Sequence, residues 1–284
     1  MRTIRVYHQE NLHPGQTLIL APEHHHHLLK VLRLKTGHSL EIFNGHTACI
    51  GVITATRKHV AVHLTEPVHY QVPKGLSVHL AIACVKAGPF DLILQKVTEL
   101  GVTHITPLRT EFTQLTTPTT AMHQRQTHWF NIITHACAQS GRYDIPQLHP
   151  ITHLSEYLQT LTKPTHVQQA YTRQIYTKQP GLKLICHPYP QQQNNGSLPG
   201  IPGMDTMLAR QNATPPTSLT TTSTITVTAL IGPEGGFSAR EVAVAIDAGF
   251  HPIQLSPHIL RTDTAAIALM GLLGYQHLQH TPGR

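Results

Sequence analysis

The stretch Leu230-Ile231-Gly232-Pro233-Glu234-Gly235-Gly236-Phe237-Ser238 decides the fold. The apolar run Thr226–Ile231 predicts a buried strand, and the periodic residues of Ala239–Ala248 predict a helix. Ser238 is placed to cap that helix, with Glu241 completing a capping box and Phe237 and Val242 a hydrophobic staple; Gly249 ends it. Between strand and helix, Gly232, Gly235 and Gly236 free the backbone for close approach to a ligand. The turn lacks the Gly-Lys-Ser/Thr ending of a phosphate loop and the GxGxxG of a dinucleotide site. It offers backbone groups rather than a phosphate grip.

A second loop of this kind follows. Strand Pro252–Leu255 runs through Ser256, His258, Ile259, Leu260 and Arg261 into an Ala-rich helix, Asp263–Gln279, with Thr262 as its expected N-cap. A third strand, Leu182–Cys186, ends on His187-Pro188. Val78–Val85 and His104–Leu108 are further strands. Helices fit Phe90 to a Gly101 cap, Met122–Ser140 and Ser155–Leu161. Strands alternating with helices predict a parallel α/β sheet, in which ligands collect at the carboxyl ends of strands.

Residues 1–72 have a different rhythm. The runs Leu40–Phe43, Ala48–Thr54 and Val60–Leu64 predict short strands, with a hairpin at Asn44-Gly45 and one helical piece at His24–Leu34. A small β-barrel-like domain follows, linked by Pro73-Lys74-Gly75 to a second domain, 73–284. Within the latter, 189–225 is rich in Gln, Asn, Pro and Thr and reads as a disordered surface insertion, with a helical turn near Thr206–Arg210.

Composition narrows the classes. The chain has 284 residues, 40% hydrophobic and only 12% charged, long enough for a real core and too apolar for global disorder. No run of about 18 apolar residues suggests a membrane span, and the polar N-terminus lacks a signal-peptide core, so a cytoplasmic protein is expected. Cys49, Cys84, Cys137 and Cys186 stand singly, which argues against disulfides or structural zinc. The net charge of +7 fits a polyanionic partner. His24–His27 are adjacent on a helix and point in different directions, so no metal site is expected there. Trp129 and Phe130 read as packing residues.

LIGPEGGFSAREV (Leu230–Val242) and LSPHILRTDTAAIAL (Leu255–Leu269) resemble the C-terminal blocks of the RsmE-type ribosomal RNA uridine-N3 methyltransferases, of the SPOUT class. HHLLKVLR (His26–Arg33), QKVTELGVTHITPL (Gln95–Leu108), CAQSGRYDIPQL (Cys137–Leu148) and CHP (Cys186–Pro188) match the remaining blocks in order. The chain departs from the family at Phe112, where Arg is common, and at Pro89, Ala138, His258 and Asp263.

The resemblance implies a trefoil-knotted parallel-sheet methyltransferase domain, a small N-terminal PUA-like β-barrel, and a homodimer. It implies S-adenosylmethionine as cofactor and N3 of a uridine in small-subunit ribosomal RNA, free or in the assembled subunit, as target. Carried over, the cofactor residues are His187, Pro188, Ile231, Gly232, Pro233, Glu234, Gly235, Gly236, Leu255, Ser256, Ile259, Leu260, Thr262 and Thr264. His27, Arg33, Arg142 and Arg261 are the RNA-binding candidates, and Arg261 and Glu234 the catalytic ones. A non-catalytic RNA-binding assembly factor that kept the fold is the alternative; a His-rich metal-storage protein is a third reading.

Overall fold

The computed structural model describes residues 3–56, 59–73, 75–113, 122–162, 181–187 and 224–280. It divides into two compact units, one of residues 1–72 with 131–145, the other of 73–130 with 146–284.

In the first unit, β1 (Arg5–Tyr7), β2 (Thr17–Ile19), β3 (Ser39–Phe43), β4 (Ala48–Ala55) and β5 (Ala61–Pro67) form a sheet ordered β1-β3-β4-β5-β2. β1 runs parallel to β3, and the other pairings are antiparallel. The end strands β1 and β2 do not pair among the described residues, so the expected barrel is an open sheet wrapped on a core of Leu18, Leu28, Ile42, Ile53, Val62 and Leu64. The β3–β4 hairpin forms where Asn44-Gly45 predicted it, but through four residues: the Asn44 carboxamide accepts from the backbone N–H of His46 and Thr47, and Gly45 takes φ +95°. β1 and β2 escaped the reading because three residues are too few to show alternation.

The expected helix at His24–Leu34 is shorter and splits. α1 (Pro22–His25) starts on Pro22 and widens into a π-helical turn, His26–Val31, in which Leu32 N–H bonds to His27 C=O. Arg33, at φ +54°, ends it.

Residues 131–145, expected in the second domain, count with the first unit. The Tyr143 hydroxyl donates to the Glu41 carboxylate, which also pairs with Arg5 at 2.8 Å. Tyr70 donates to Asp144 at 2.9 Å, and Ile145 packs on Gly45 so closely that a Cβ there would lie 3.1 Å from it.

The second unit is a parallel sheet. β6 (Leu76–Ala83), β7 (His104–Arg109), β8 (Gln147–Leu148), β10 (Leu182–Cys186), β11 (Ile225–Ile231) and β12 (His251–Ile253) run in the order β12-β10-β11-β6-β7-β8, and β9 (Thr152–His153) also pairs with β7. Every residue of β11 is buried, as expected for a strand covered on both faces. The helices are α2 (Ala87–Glu99), α3 (Met122–Ser140), α4 (Leu154–Thr162), α5 (Ala239–Asp247) and α6 (Thr262–His280). α5 carries both bonds of the expected capping box. Gly101 and Gly249 each close a helix in a Schellman motif: Val102 N–H reaches Val97 C=O after α2, and Phe250 N–H reaches Ala245 C=O after α5. Trp129 is buried against Phe90, ring centroids 4.6 Å apart.

Because the strands are parallel, their carboxyl ends share one edge, and β11 lies between β10 and β6. The loop that leaves β11 therefore has strand ends on both sides. The expected disordered insertion lies outside the described residues except at its last positions, where Ile225 already begins β11. The expected turn at Thr206–Arg210 also lies outside them.

Candidate functional site

A cleft of about 250 Å³ opens beyond the carboxyl ends of β10, β11 and β12. Three segments wall it: Cys186-His187, Ile231–Gly236, and Ile253–Leu260 with Thr262 and Ala265 of α6. Its wall is mostly backbone and apolar side chains, for physical reasons. At Gly232 a Cβ would stand 3.2 Å from the Gly236 carbonyl carbon and from the Phe237 ring, so the turn folds back on itself only without a side chain. Gly236 takes φ +73°. Gly236 N–H bonds to Pro233 C=O at 2.8 Å and closes the turn.

Two bonds hold the loops together. The Thr262 hydroxyl donates to the Gly232 carbonyl at 3.1 Å, and His187 N–H bonds to Ile253 C=O at 3.1 Å. The first corrects the expectation of Thr262 as N-cap. Arg261 C=O accepts the first helical bond, from Ala265 N–H, while the buried Thr262 side chain ties its own loop to the glycine-bearing one. His187 Nδ1 is buried with no hydrogen-bond partner among the described residues, and burial lowers the pKa of its ring. A buried acceptor or donor without a partner is unusual and suits a ligand that supplies one.

Of the expected cofactor residues, the structure brings His187, Ile231, Gly232, Pro233, Glu234, Gly235, Gly236, Leu255, Ser256, Ile259, Leu260 and Thr262 to this cleft. Pro188 lies outside the described residues. Thr264 is exposed and absent from the lining; its N–H bonds to the Asp263 carboxylate at 2.7 Å, within the first turn of α6. Cys186 and His258, within the strand end and loop already singled out, also line the cleft, as do Ile253, Gln254 and Ala265, which no candidate set included. Their position at strand and helix ends was the available signal. Ile259 is 90% exposed at the rim, an apolar residue with its own face uncovered in the single chain.

Beyond the carboxyl ends of β6 and β7 lies a second, larger cleft of about 600 Å³, lined by Cys84, Val85, Lys86, Glu111, Phe112 and Thr113 together with Glu234 and Gly235. The β11 loop is thus a wall common to both clefts. Glu111 N–H is held by the Glu241 carboxylate at 2.8 Å, which fixes the second cleft to the first turn of α5.

The charged candidates fall elsewhere. Arg261 lines neither cleft; its side chain is 71% exposed and lies 3.6 Å from Asp263. Arg142, expected to face RNA, has a side chain 12% exposed and paired with Asp144 at 2.5 Å within the first unit. That leaves little of its charge for a phosphate. His27 and Arg33 are exposed. The four histidines at 24–27 gather no metal site, and no group of three or more His, Cys, Asp or Glu among the described residues is arranged to hold an ion.

The chain is similar to known proteins along most of its length. Residues 72–274 match the model of an RNA methyltransferase domain, and 25–65 that of an RNA methyltransferase PUA domain. Ribosomal RNA small subunit methyltransferase E of Buchnera aphidicola subsp. Schizaphis graminum is 27% identical over 274 residues, 96% of each chain. A Legionella pneumophila chain described as a putative methyltransferase, solved with its bound cofactor S-adenosylmethionine, is 32% identical with a TM-score of 0.74 over 97% of this chain and 98% of that one. Ribosomal RNA small subunit methyltransferase E of Neisseria gonorrhoeae, bound to S-adenosylmethionine, is 27% identical with a TM-score of 0.70 over 96% and 98%. With a family model spanning well over half its length, the chain belongs to the RNA methyltransferase family, in its RsmE type.

Proposed function

We propose that this chain methylates N3 of a uridine in small-subunit ribosomal RNA, using S-adenosylmethionine held in the cleft over β10, β11 and β12. One observation carries the reading: a backbone-lined cleft, with a buried His187 nitrogen unpartnered among the described residues, stands at the carboxyl edge of a parallel sheet whose relatives bind this cofactor. Ile231, Ile253, Leu255, Leu260 and Ala265 suit an adenine ring, and the backbone of 232–236 suits the polar remainder. When bound, the cofactor supplies a methyl on a sulfonium; the N3–carbon bond forms as the carbon–sulfur bond breaks, its electron pair staying on sulfur. Glu234, exposed on the wall common to both clefts, offers a carboxylate to that cation.

N3 of uracil must lose its proton before or during attack. The site therefore needs an acceptor for the proton and positive charge for the oxygens. Arg33 and Arg261, both exposed, are free to meet RNA phosphates. The exposed Leu272, Tyr275 and Leu278 of α6 support a homodimer through that helix. The trefoil knot of the resemblance and action in the cytoplasm complete the proposal; among the described residues no helix is long and apolar enough to cross a membrane.

Nucleoside mass spectrometry of ribosomal RNA from cells with and without the gene tests the reading. Loss of 3-methyluridine with the gene, restored by its return, is the expected result. Cofactor binding in calorimetry without any change in RNA nucleosides would point instead to a non-catalytic assembly factor.

A further inference from the structure

The second cleft lies apart from the one proposed to hold the cofactor, yet it shares the Glu234-Gly235 wall with it. Its own walls carry three side chains of distinct chemistry. Lys86, directly before α2, and Glu111, after β7, are exposed, and neither side chain makes a hydrogen bond or ion pair among the described residues. Phe112 is 47% exposed, a large aromatic face beside Gly235, where a Cβ would stand 3.1 Å from it. The positive charge reaches deeper than Lys86. Burial pushes the Cys84 thiol in this wall up to about 12, against the pull of Arg125 and Arg109. Arg109 also keeps a buried Nε with no hydrogen-bond partner among the described residues.

A cation, an anion and an aromatic face, each unused by the fold, match one kind of ligand: a planar base with acceptors flanking a removable proton. We propose, resting on the function above, that this cleft receives the target uracil, with Phe112 stacked on its ring, Lys86 at a carbonyl oxygen and Glu111 facing N3–H. Stacking on an aromatic residue is how a base drawn from its RNA context is held. The Glu111 carboxylate takes the N3 proton and passes it to water. The negative charge left on the carbonyl oxygens faces the Lys86 ammonium. The methyl crosses at Glu234-Gly235, where the two clefts meet. Lys86 and Glu111 are thus catalytic residues, and Phe112 sets specificity for a flat base.

The test uses the full chain, tritiated S-adenosylmethionine and small ribosomal subunits from cells lacking the gene. Phe112→Ala is expected to lower kcat/KM by roughly 5- to 150-fold, the range for one lost stacking contact, and Phe112→Trp to restore most of it. Lys86→Ala is expected to lower kcat by about 10²–10³-fold and to move the rise of rate with pH upward, because the unsupported uracil anion forms only in more alkaline solution. Cofactor affinity in calorimetry should stay at the wild-type value in all three. Wild-type kinetics in Phe112→Ala and Lys86→Ala would overturn the uracil site and leave the methyltransferase standing. So would an activity loss explained by weakened cofactor binding, or a Lys86→Ala profile lowered without displacement. A wild-type chain that binds cofactor yet methylates no small subunit overturns the parent function, and this proposal with it.

Discussion

The cleft over β10, β11 and β12 is walled by backbone, glycines and apolar residues, whereas its neighbour over β6, β7 and β11 presents Lys86, Glu111 and Phe112. Both sit at the same edge of one sheet and share one loop. A site made of backbone needs particular glycines at particular spacings, because only they allow the close turns. A site made of side chains needs only that three strand ends be neighbours in space. The first arrangement writes itself into short runs of sequence; the second sets Lys86 apart from the pair Glu111-Phe112, each an ordinary surface residue when read alone.

The largest expected effect lies where the two clefts touch. Gly235→Val would place a branched side chain on the common wall, its Cβ 3.1 Å from that of Phe112. Affinity for S-adenosylmethionine in calorimetry should fall by roughly two orders of magnitude, about 2.7 kcal/mol, and methyl transfer should vanish with it. Glu111→Gln, on the other cleft, should leave cofactor affinity at the wild-type value. Equal losses of affinity in both variants would mean that the clefts are one site.

That contrast accounts for what could be read beforehand. Helix α5, with its box and its Gly249 stop, follows from residues within a dozen positions, and Met122–Ser140 was placed to the residue. Twelve of the fourteen expected cofactor residues line one cleft, since the three loops that carry them lie at strand ends that an α/β sheet brings together. Arg261 stands in a loop whose neighbours line the first cleft, yet its own side chain turns to solvent, which a side chain at a helix start can do as readily as turn inward. Lys86 gave no signal because it belongs to no periodic or glycine-rich pattern, and Phe112 stood out only as a departure from the family's Arg. The allegiance of 131–145 was equally hidden: Tyr143 finds Glu41 across a sequence separation of 102.

A smaller effect is expected at the tie between the cofactor loops. Thr262→Val keeps the shape but strips the Gly232 carbonyl of its donor. Leaving that partly buried acceptor unpaired costs about 1–3 kcal/mol, and a domain of this size should lose roughly 2–4 °C in Tm per kcal/mol. Cofactor affinity should fall together with Tm, whereas the second cleft, which lacks this bond, should keep its geometry. An unchanged Tm would show that the two loops hold their positions independently.

The halves of the sheet also differ in acid. Beneath β6 and β7, His79 bonds to Thr106 at 2.7 Å and stacks near His104, His149 and Tyr157, with ring centroids 5.3–5.6 Å apart. Burial lowers the pKa of all three histidines, His149 to about 4, and mutual repulsion adds to this for His79 and His149. The strands β10, β11 and β12 contain no buried histidine among the described residues. Above about pH 6.5 both folded and unfolded chains hold these rings neutral. As pH falls from there toward 4, the unfolded chain binds protons that the folded one refuses, so stability declines across that window. The denaturant midpoint should drop accordingly, and more shallowly in His149→Gln. A flat midpoint between pH 7 and 4.5 would remove the distinction between the halves.

The smallest effect is expected at Arg261, which belongs to a cofactor loop by sequence and to the surface by position. Its side chain is 71% exposed and lines neither cleft, so it stands outside the reach of a base in the one or a methyl donor in the other. An exposed guanidinium that meets RNA contributes by neutralising a phosphate and releasing its counterions. Arg261→Ala should therefore weaken binding to small subunits and reduce the slope of log affinity against log salt by roughly one, with kcat held within a few-fold. Arg261→Lys should recover the slope, because a point charge serves a phosphate as well as a fork does in this role. Were kcat instead to fall by about 10²–10³-fold, the loss typical of a donor that stabilises charge in the transition state, Arg261 would have to reach reacting atoms in the assembled enzyme. The division between a backbone cleft for the cofactor and a side-chain cleft for the base would then have to include a residue that one chain alone keeps on its surface.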